Sequence, residues 1–118
     1  MKPKLVYGGI YWVSFAPSVG HEYQGRRPAV VIQADSQLKR TNLATVMPLT
    51  SQVGKAHSDD ILVAADKTNN LYVDSAVKVH HIESFDRARF LKQVGMIDST
   101  TMFLIKKYLR RHFRLGAD

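Results

Sequence analysis

Between Ile10 and Ile97 the chain breaks into six short apolar runs, each closed by polar residues, glycine or proline. Runs this short suit strands and are too brief for ordinary helices. IYWVSF (Ile10–Phe15) alternates, which places Tyr11, Val13 and Phe15 on one face of a half-buried strand. PAVVIQA (Pro28–Ala34) is continuous and apolar, a buried strand with Pro28 in its first position. LATVMPLT (Leu43–Thr50) is a third strand, and its Pro48 argues for an edge or a bulge. ILVAA (Ile61–Ala65), DSAVKVHHI (Asp74–Ile82) and LKQVGMI (Leu91–Ile97) complete the set. Between them, DSQLKRTN and SFDRARF each have room for one helical turn, SQVGKAHSDD is a polar loop, and DKTNN is a turn by composition.

After the last run the pattern changes. Asp98, Ser99, Thr100 and Thr101 offer helix N-caps, and Met102, Ile105, Leu109 and Phe113, with Tyr108 and His112, recur at helical spacing up to a stop at Gly116. Many short strands and one terminal helix predict a mainly β fold: a small, strongly bent antiparallel sheet or barrel with helical packing. The 118 residues suit one domain spanning 1–118, without repeat or linker. Met1-Lys2-Pro3-Lys4-Leu5 is too short for a signal peptide and no apolar run reaches membrane-spanning length, so a soluble, intracellular protein is expected, with no membrane partner. The absence of cysteine excludes disulfides, thiolate metal sites and a cysteine nucleophile. Lysine and arginine number 17 against 10 acids, a net charge of +7, which on charge alone fits a polyanionic partner such as nucleic acid and a generic basic surface equally well. Five of the cations (Lys106, Lys107, Arg110, Arg111 and Arg114) fall in the terminal stretch, where a solvated helix face accounts for them.

The stretch GHEYQGRRPAVVIQAD sets Arg26 and Arg27 at the mouth of a buried strand, where folding alone gives them no purpose. GGIYWVSFAPSVGHEYQGRRPAVVIQAD, then TVMPLTS, DSAVKVHHIESFDRARF and VGMIDSTTMFLIKKYLRRHFRL, follow the order of motifs in MazF/PemK toxins, and nearly the whole chain resembles that family. The specific block is Pro-x-x-Gly-x-Glu, a short gap, then Arg-Pro and aliphatics. The resemblance implies an SH3-like barrel with a terminal helix, a cytoplasmic homodimer, and metal-independent, cofactor-free, sequence-specific cleavage of single-stranded RNA. It also implies a cognate antitoxin whose acidic tail covers the RNA groove, with operator DNA bound only through the antitoxin complex. By the same resemblance, Arg27 matches the catalytic arginine before proline, Thr50 the catalytic threonine, His21 a histidine linked to cleavage in Kid-like members, and Glu22 the glutamate of the same loop. The chain departs from the family at Gly8-Gly9 (commonly Gly-Asp), at His80-His81 (often Asp-Gln or Glu-Gln), at Glu83 (commonly arginine) and at Lys78 (arginine in Kid-like members).

The residues suit that chemistry. When the 2′-hydroxyl of RNA attacks its own phosphodiester, the nucleophile belongs to the substrate, and the protein must move protons and stabilise charge. Arg27 supplies a charged fork of donors for phosphate oxygens, and a guanidinium does not serve as a base. Thr50 can donate its hydroxyl, or else bond its own backbone at a strand end. His21 is a candidate proton carrier, because histidine as a residue type can exchange a proton near neutral pH. Glu22 suits an orienting role toward Arg26, Arg27 or a loop amide. Arg26, Tyr23, Gln24, Ser51 and Gln52 are candidate RNA contacts. So is Lys78, for phosphate, together with His80 and His81. Read as strand neighbours, His80 and His81 point to opposite faces and cannot share a metal, while Lys78 shares the face of His80. His80 is expected to replace in part the acid of other members. Among the aromatic residues, Tyr23 and Tyr72 suit base stacking, while Tyr11 and Trp12 suit packing. Two rival readings remain: a gyrase poison of the same barrel superfamily resembling CcdB, which cuts nothing, and a noncatalytic nucleic-acid-binding module.

Overall fold

The computed structural model describes residues 2–15 and 25–116. Seven strands, β1 (Gly9–Ser14), β2 (Arg26–Val31), β3 (Leu43–Thr50), β4 (Ile61–Val63), β5 (Ser75–Val77), β6 (Glu83–Asp86) and β7 (Phe90–Met96), precede the terminal helix α2 (Ser99–His112); a single turn, α1 (Asp35–Leu38), follows β2. The strands pair antiparallel in the order β4-β5-β3-β2-β1-β7, and β6 also pairs with β3. A 3-10 turn at Arg87–Arg89 carries β6 directly into β7, so the sheet bends back toward its own far edge. The expected mainly β, SH3-like architecture with a terminal helix is present.

Both faces of the bent sheet are buried, which is why the strands alternate between two apolar sets. One face holds Tyr11, Val13, Phe15, Ala29, Val31, Ala44 and Val46, closed by Phe85 and Phe90. The other holds Ile10, Val30, Met47 and Leu49 and receives Met102 and Ile105 of α2. Successive residues of β2 and β3 therefore serve opposite cores, as a period of two requires. Tyr11 is fully buried; its hydroxyl donates to the Lys4 carbonyl (2.9 Å) and accepts from the Val6 amide (2.9 Å), so it is a packing residue as expected. Its ring lies back over Gly9, where a Cβ would come within 2.6 Å of it, and this accounts for glycine at that departure from the family pattern.

Several elements differ from the sequence reading. β2 starts at Arg26, two residues before Pro28, because Arg26 and Arg27 pair with Ser14 and Val13 of β1. Pro48 lies in β3, which is flanked on both sides and is not an edge. Its missing donor falls where the outer partner of β3 changes from β6 (at Leu43–Val46) to β5 (at Leu49 and Thr50). The fifth strand stops at Val77, and Lys78–His81 form a turn closed by the His81 amide on the Lys78 carbonyl (3.0 Å). SFDRARF contributes β6 as well as its helical turn. The terminal helix ends at His112, and Phe113 is exposed rather than packed.

Candidate active site

Strand register brings Arg27 and Thr50 together. β2 and β3 pair with Ala29 opposite Pro48 and Val31 opposite Val46. The face that carries Ala29, Val31 and Val46 continues, two residues on, through Arg27 and Thr50 at the open end of the sheet. There the two line one small cavity of about 80 Å³ with Gln52, Lys55 and Lys78. A space worth roughly two or three water volumes suits a phosphate group. Arg27 is half-buried, with its Nε buried. Thr50 is buried, and its Oγ1 accepts the Gln52 amide at 3.1 Å. That bond is the local turn contact expected of a threonine at a strand end, and it leaves the hydroxyl proton available to donate into the cavity.

Lys78 is held from behind. Its Nζ lies 2.5 Å from Oδ2 of Asp60, whose side chain is fully buried; the Asp60 carboxylate also accepts the amides of His57 (2.9 Å) and Val79 (3.3 Å). Such a pair adds little net stability against its desolvation cost, but it fixes where the ammonium sits. Lys55 and Asp60 both come from SQVGKAHSDD. Neither stood out in the sequence, because only the density of Lys, His and Asp marks that loop.

The remaining candidates divide between two other cavities. Arg26 and Ser51 lie on the opposite sheet face and line a larger cavity of about 400 Å³ with Trp12, Tyr72 and Lys92; Arg27 touches its rim. Tyr72 is 91% exposed there, a free ring face for stacking, whereas Trp12 is half-buried. The third cavity, about 250 Å³, is lined by His57, Asp60, Lys78, His80 and His81. His80 and His81 thus share one cavity instead of facing opposite ways, since they sit in a turn and not on a strand. His80 is not among the residues of the Arg27 pocket: its Nε2 meets Oδ2 of Asp59 (3.0 Å) and its Nδ1 meets the Tyr108 hydroxyl (3.1 Å). Burial first, then the Lys78 charge, hold His81 below the ordinary imidazole range, which favours its neutral form at neutral pH. His21, Glu22, Tyr23 and Gln24 lie outside the described residues. Among the described residues no helix is long and apolar enough to cross a membrane.

Known proteins share this chain's sequence and fold along most of its length. The Mycobacterium tuberculosis protein Endoribonuclease MazF9 is 30% identical over 115 residues, 93% of this chain and 97% of the relative. The crystal structure of MazF (Form-I) from Deinococcus radiodurans superposes with a TM-score of 0.79 at 27% identity, covering 97% of this chain and 98% of that one. A chain of MazE-MazF (Form-II) from the same organism gives a TM-score of 0.72 over 98% of this chain and 99% of that one; at 20% identity the likeness speaks for the fold. The family model described as PemK-like, MazF-like toxin of type II toxin-antitoxin system matches residues 7–113. With the fold and these matches in agreement, the chain belongs to the PemK-like, MazF-like family of type II toxin–antitoxin toxins.

Proposed function

We propose that the protein is an endoribonuclease toxin that cuts single-stranded RNA in the pocket formed by Arg27, Thr50, Gln52, Lys55 and Lys78, and that a cognate antitoxin silences it. The observation that carries this reading is the convergence of one guanidinium, two ammonium groups and a donor hydroxyl on a phosphate-sized space. The attacking group is the RNA 2′-hydroxyl. It displaces the 5′-oxygen of the next nucleotide, leaving a 2′,3′-cyclic phosphate and a 5′-hydroxyl. Arg27 donates two bonds to the non-bridging oxygens, whose charge grows as phosphorus gains a fifth bond; Lys78 and Lys55 add positive potential, and Thr50 donates a further hydrogen bond. No protein nucleophile is needed. His21 carries the proton from the 2′-hydroxyl to the leaving oxygen, and Glu22 orients the arginines.

RNA flanking the scissile phosphate lies across the larger cavity, where Arg26 and Lys92 meet phosphates, Ser51 bonds a base or sugar edge, and Tyr72 stacks on a base. Tyr23 and Gln24 are further candidate contacts to the RNA. His80 and His81 border the substrate from the neighbouring cavity, through the shared Lys78. Residues 1–118 act as one toxin domain, paired as a homodimer in the cytoplasm. The relatives include a MazE–MazF structure, which supports an antitoxin partner; on this proposal the antitoxin covers the basic surface and carries the toxin to operator DNA. Purified protein with long single-stranded RNA in EDTA should yield 2′,3′-cyclic phosphate and 5′-hydroxyl ends. Folded protein that cuts none of several RNAs, or leaves 3′-hydroxyl ends, would overturn this reading in favour of a gyrase poison, a binding module or different chemistry.

A further inference from the structure

Two histidines of the 250 Å³ cavity, His57 and His80, meet Asp59 in a second set of groups outside the Arg27 pocket. Ligand atoms offered by His57, Asp59 and His80 lie within 4.8 Å of one another. His80 Nε2 and Asp59 Oδ2 are 3.0 Å apart, and His57 Nδ1 is 3.8 Å from the same oxygen. With metal–ligand bonds of about 2.1 Å, the edge of a tetrahedral site is about 3.4 Å, so the spacing already brackets what zinc needs. All three side chains are exposed, and His57 Nδ1 accepts the Asp59 amide (3.0 Å), a bond it gives up to bind an ion. The His57 and His80 rings already meet edge to face, 4.6 Å between centroids.

The surroundings prepare His80 as a ligand. Its Nδ1 contacts the Tyr108 hydroxyl (3.1 Å), which in turn contacts His112 Nδ1 (3.0 Å). In the present contact His80 Nε2 donates to the Asp59 carboxylate and Nδ1 accepts from Tyr108; an ion that takes the Nε2 lone pair shifts the proton to Nδ1, which then donates to Tyr108, and Tyr108 to His112. An outer contact of this kind fixes the tautomer and ring angle of a metal-binding histidine. Lys78 sits nearby, its ammonium held by the Asp60 carboxylate at 2.5 Å.

We propose that His57, Asp59 and His80 form a binding site for one divalent transition-metal ion of the zinc type, with the fourth position open to water. His57 and Asp59 belong to the loop that carries Lys55, and His80 to the turn after β5. The ion therefore ties that loop to the turn and, through Tyr108, to α2. Its role is to clamp structure, and it takes no part in phosphodiester chemistry.

The test uses Zn2+ and Co2+ alone, on full-length protein stripped with EDTA. Competition with a chromophoric chelator should show one Zn2+ per chain with a micromolar or tighter Kd, and Co2+ should give the intense visible bands of a four-coordinate site. Zn2+ should also raise Tm. His57→Ala and Asp59→Asn should each weaken binding at least tenfold and abolish the Tm rise, while Tm and RNA cleavage in EDTA stay at wild-type values. Tyr108→Phe should weaken binding about tenfold, as loss of a positioning contact does. No binding tighter than millimolar, or wild-type affinity in both His57→Ala and Asp59→Asn, would overturn the proposal.

Discussion

Arg27 reaches the pocket by backbone pairing on both sides of β2 and not by side-chain reach. Val13 of β1 pairs with it, and the β2–β3 register aims it at Thr50. Its replacement should therefore change chemistry far more than folding. Arg27→Ala should lower the single-turnover cleavage rate by at least 100-fold with Tm near wild type, and Arg27→Lys should stay more than tenfold down, since an ammonium keeps the charge but loses the fork. Thr50→Val keeps the shape and removes the hydroxyl; it should cost about 10- to 100-fold in rate, with Thr50→Ser close to wild type. Asp60 acts through Lys78: Asp60→Ala should destabilise by about 3 kcal/mol, because it leaves a largely buried ammonium unpaired, and denaturant melts will measure it. Arg27 and Thr50 stood out in the sequence through the family resemblance, with a proline after one and a strand end at the other, and the structure sets both in one pocket. Lys55, Asp59 and Asp60 did not, because a polar loop has no period and its partners are set by tertiary contacts.

The elements most open to test are the ends of α2 and the turn that borders the larger cavity. Asp98 caps α2: its carboxylate accepts the Thr101 hydroxyl (2.6 Å) and amide (3.0 Å). The hydroxyl bond first, with the amide bonds, lowers its pKa from the ordinary 3.8. A lowered folded value means the cap stabilises fully above about pH 4 and loses that contribution as pH falls through the folded value. Asp98→Ala should cost about 1 kcal/mol at neutral pH and less in strong acid, seen as Tm against pH. At the other end the Leu115 amide donates to the Arg110 carbonyl (2.8 Å), and Arg114 adopts a left-handed φ of 53° that suits glycine. Arg114→Gly should raise stability by about 1 kcal/mol. In the DKTNN turn, buried Asn69 accepts the Asp66 (2.9 Å) and Leu71 (3.1 Å) amides and donates to the Ala64 carbonyl (2.8 Å). That backbone lies so close to β7 that a Cβ at Gly95 would sit 2.3 Å from the Asn69 carbonyl oxygen, so Gly95→Ala should displace the turn and loosen the cavity rim. Cap, helix and turn were readable because each has local chemistry. β6 was not: Phe85 is its one buried residue, and pairing with β3 rather than local pattern makes it a strand. The fifth strand was read too long because Val79 continues the alternation of Val77 into what is a turn stabilised by Asp60.

At the scale of the whole molecule, a charge of +7 spread over a small sheet protein favours RNA before any base is read. If Arg27, Lys55 and Lys78 each meet phosphate, they should contribute about −2 to the slope of log K against log salt for single-stranded RNA, and Lys55→Ala should reduce its magnitude by about 0.7. The composition, the strand-rich pattern and the terminal helix led to the right architecture; the division of the candidates among three cavities emerged only from how the sheet bends. The most direct measurement is single-turnover cleavage of one long single-stranded RNA in EDTA by wild type, Arg27→Ala and Thr50→Val, with all three shown to be folded. Cleavage by wild type, lost by at least 100-fold in Arg27→Ala and by at least tenfold in Thr50→Val, is the predicted result. Equal rates for the three proteins would contradict the pocket assignment.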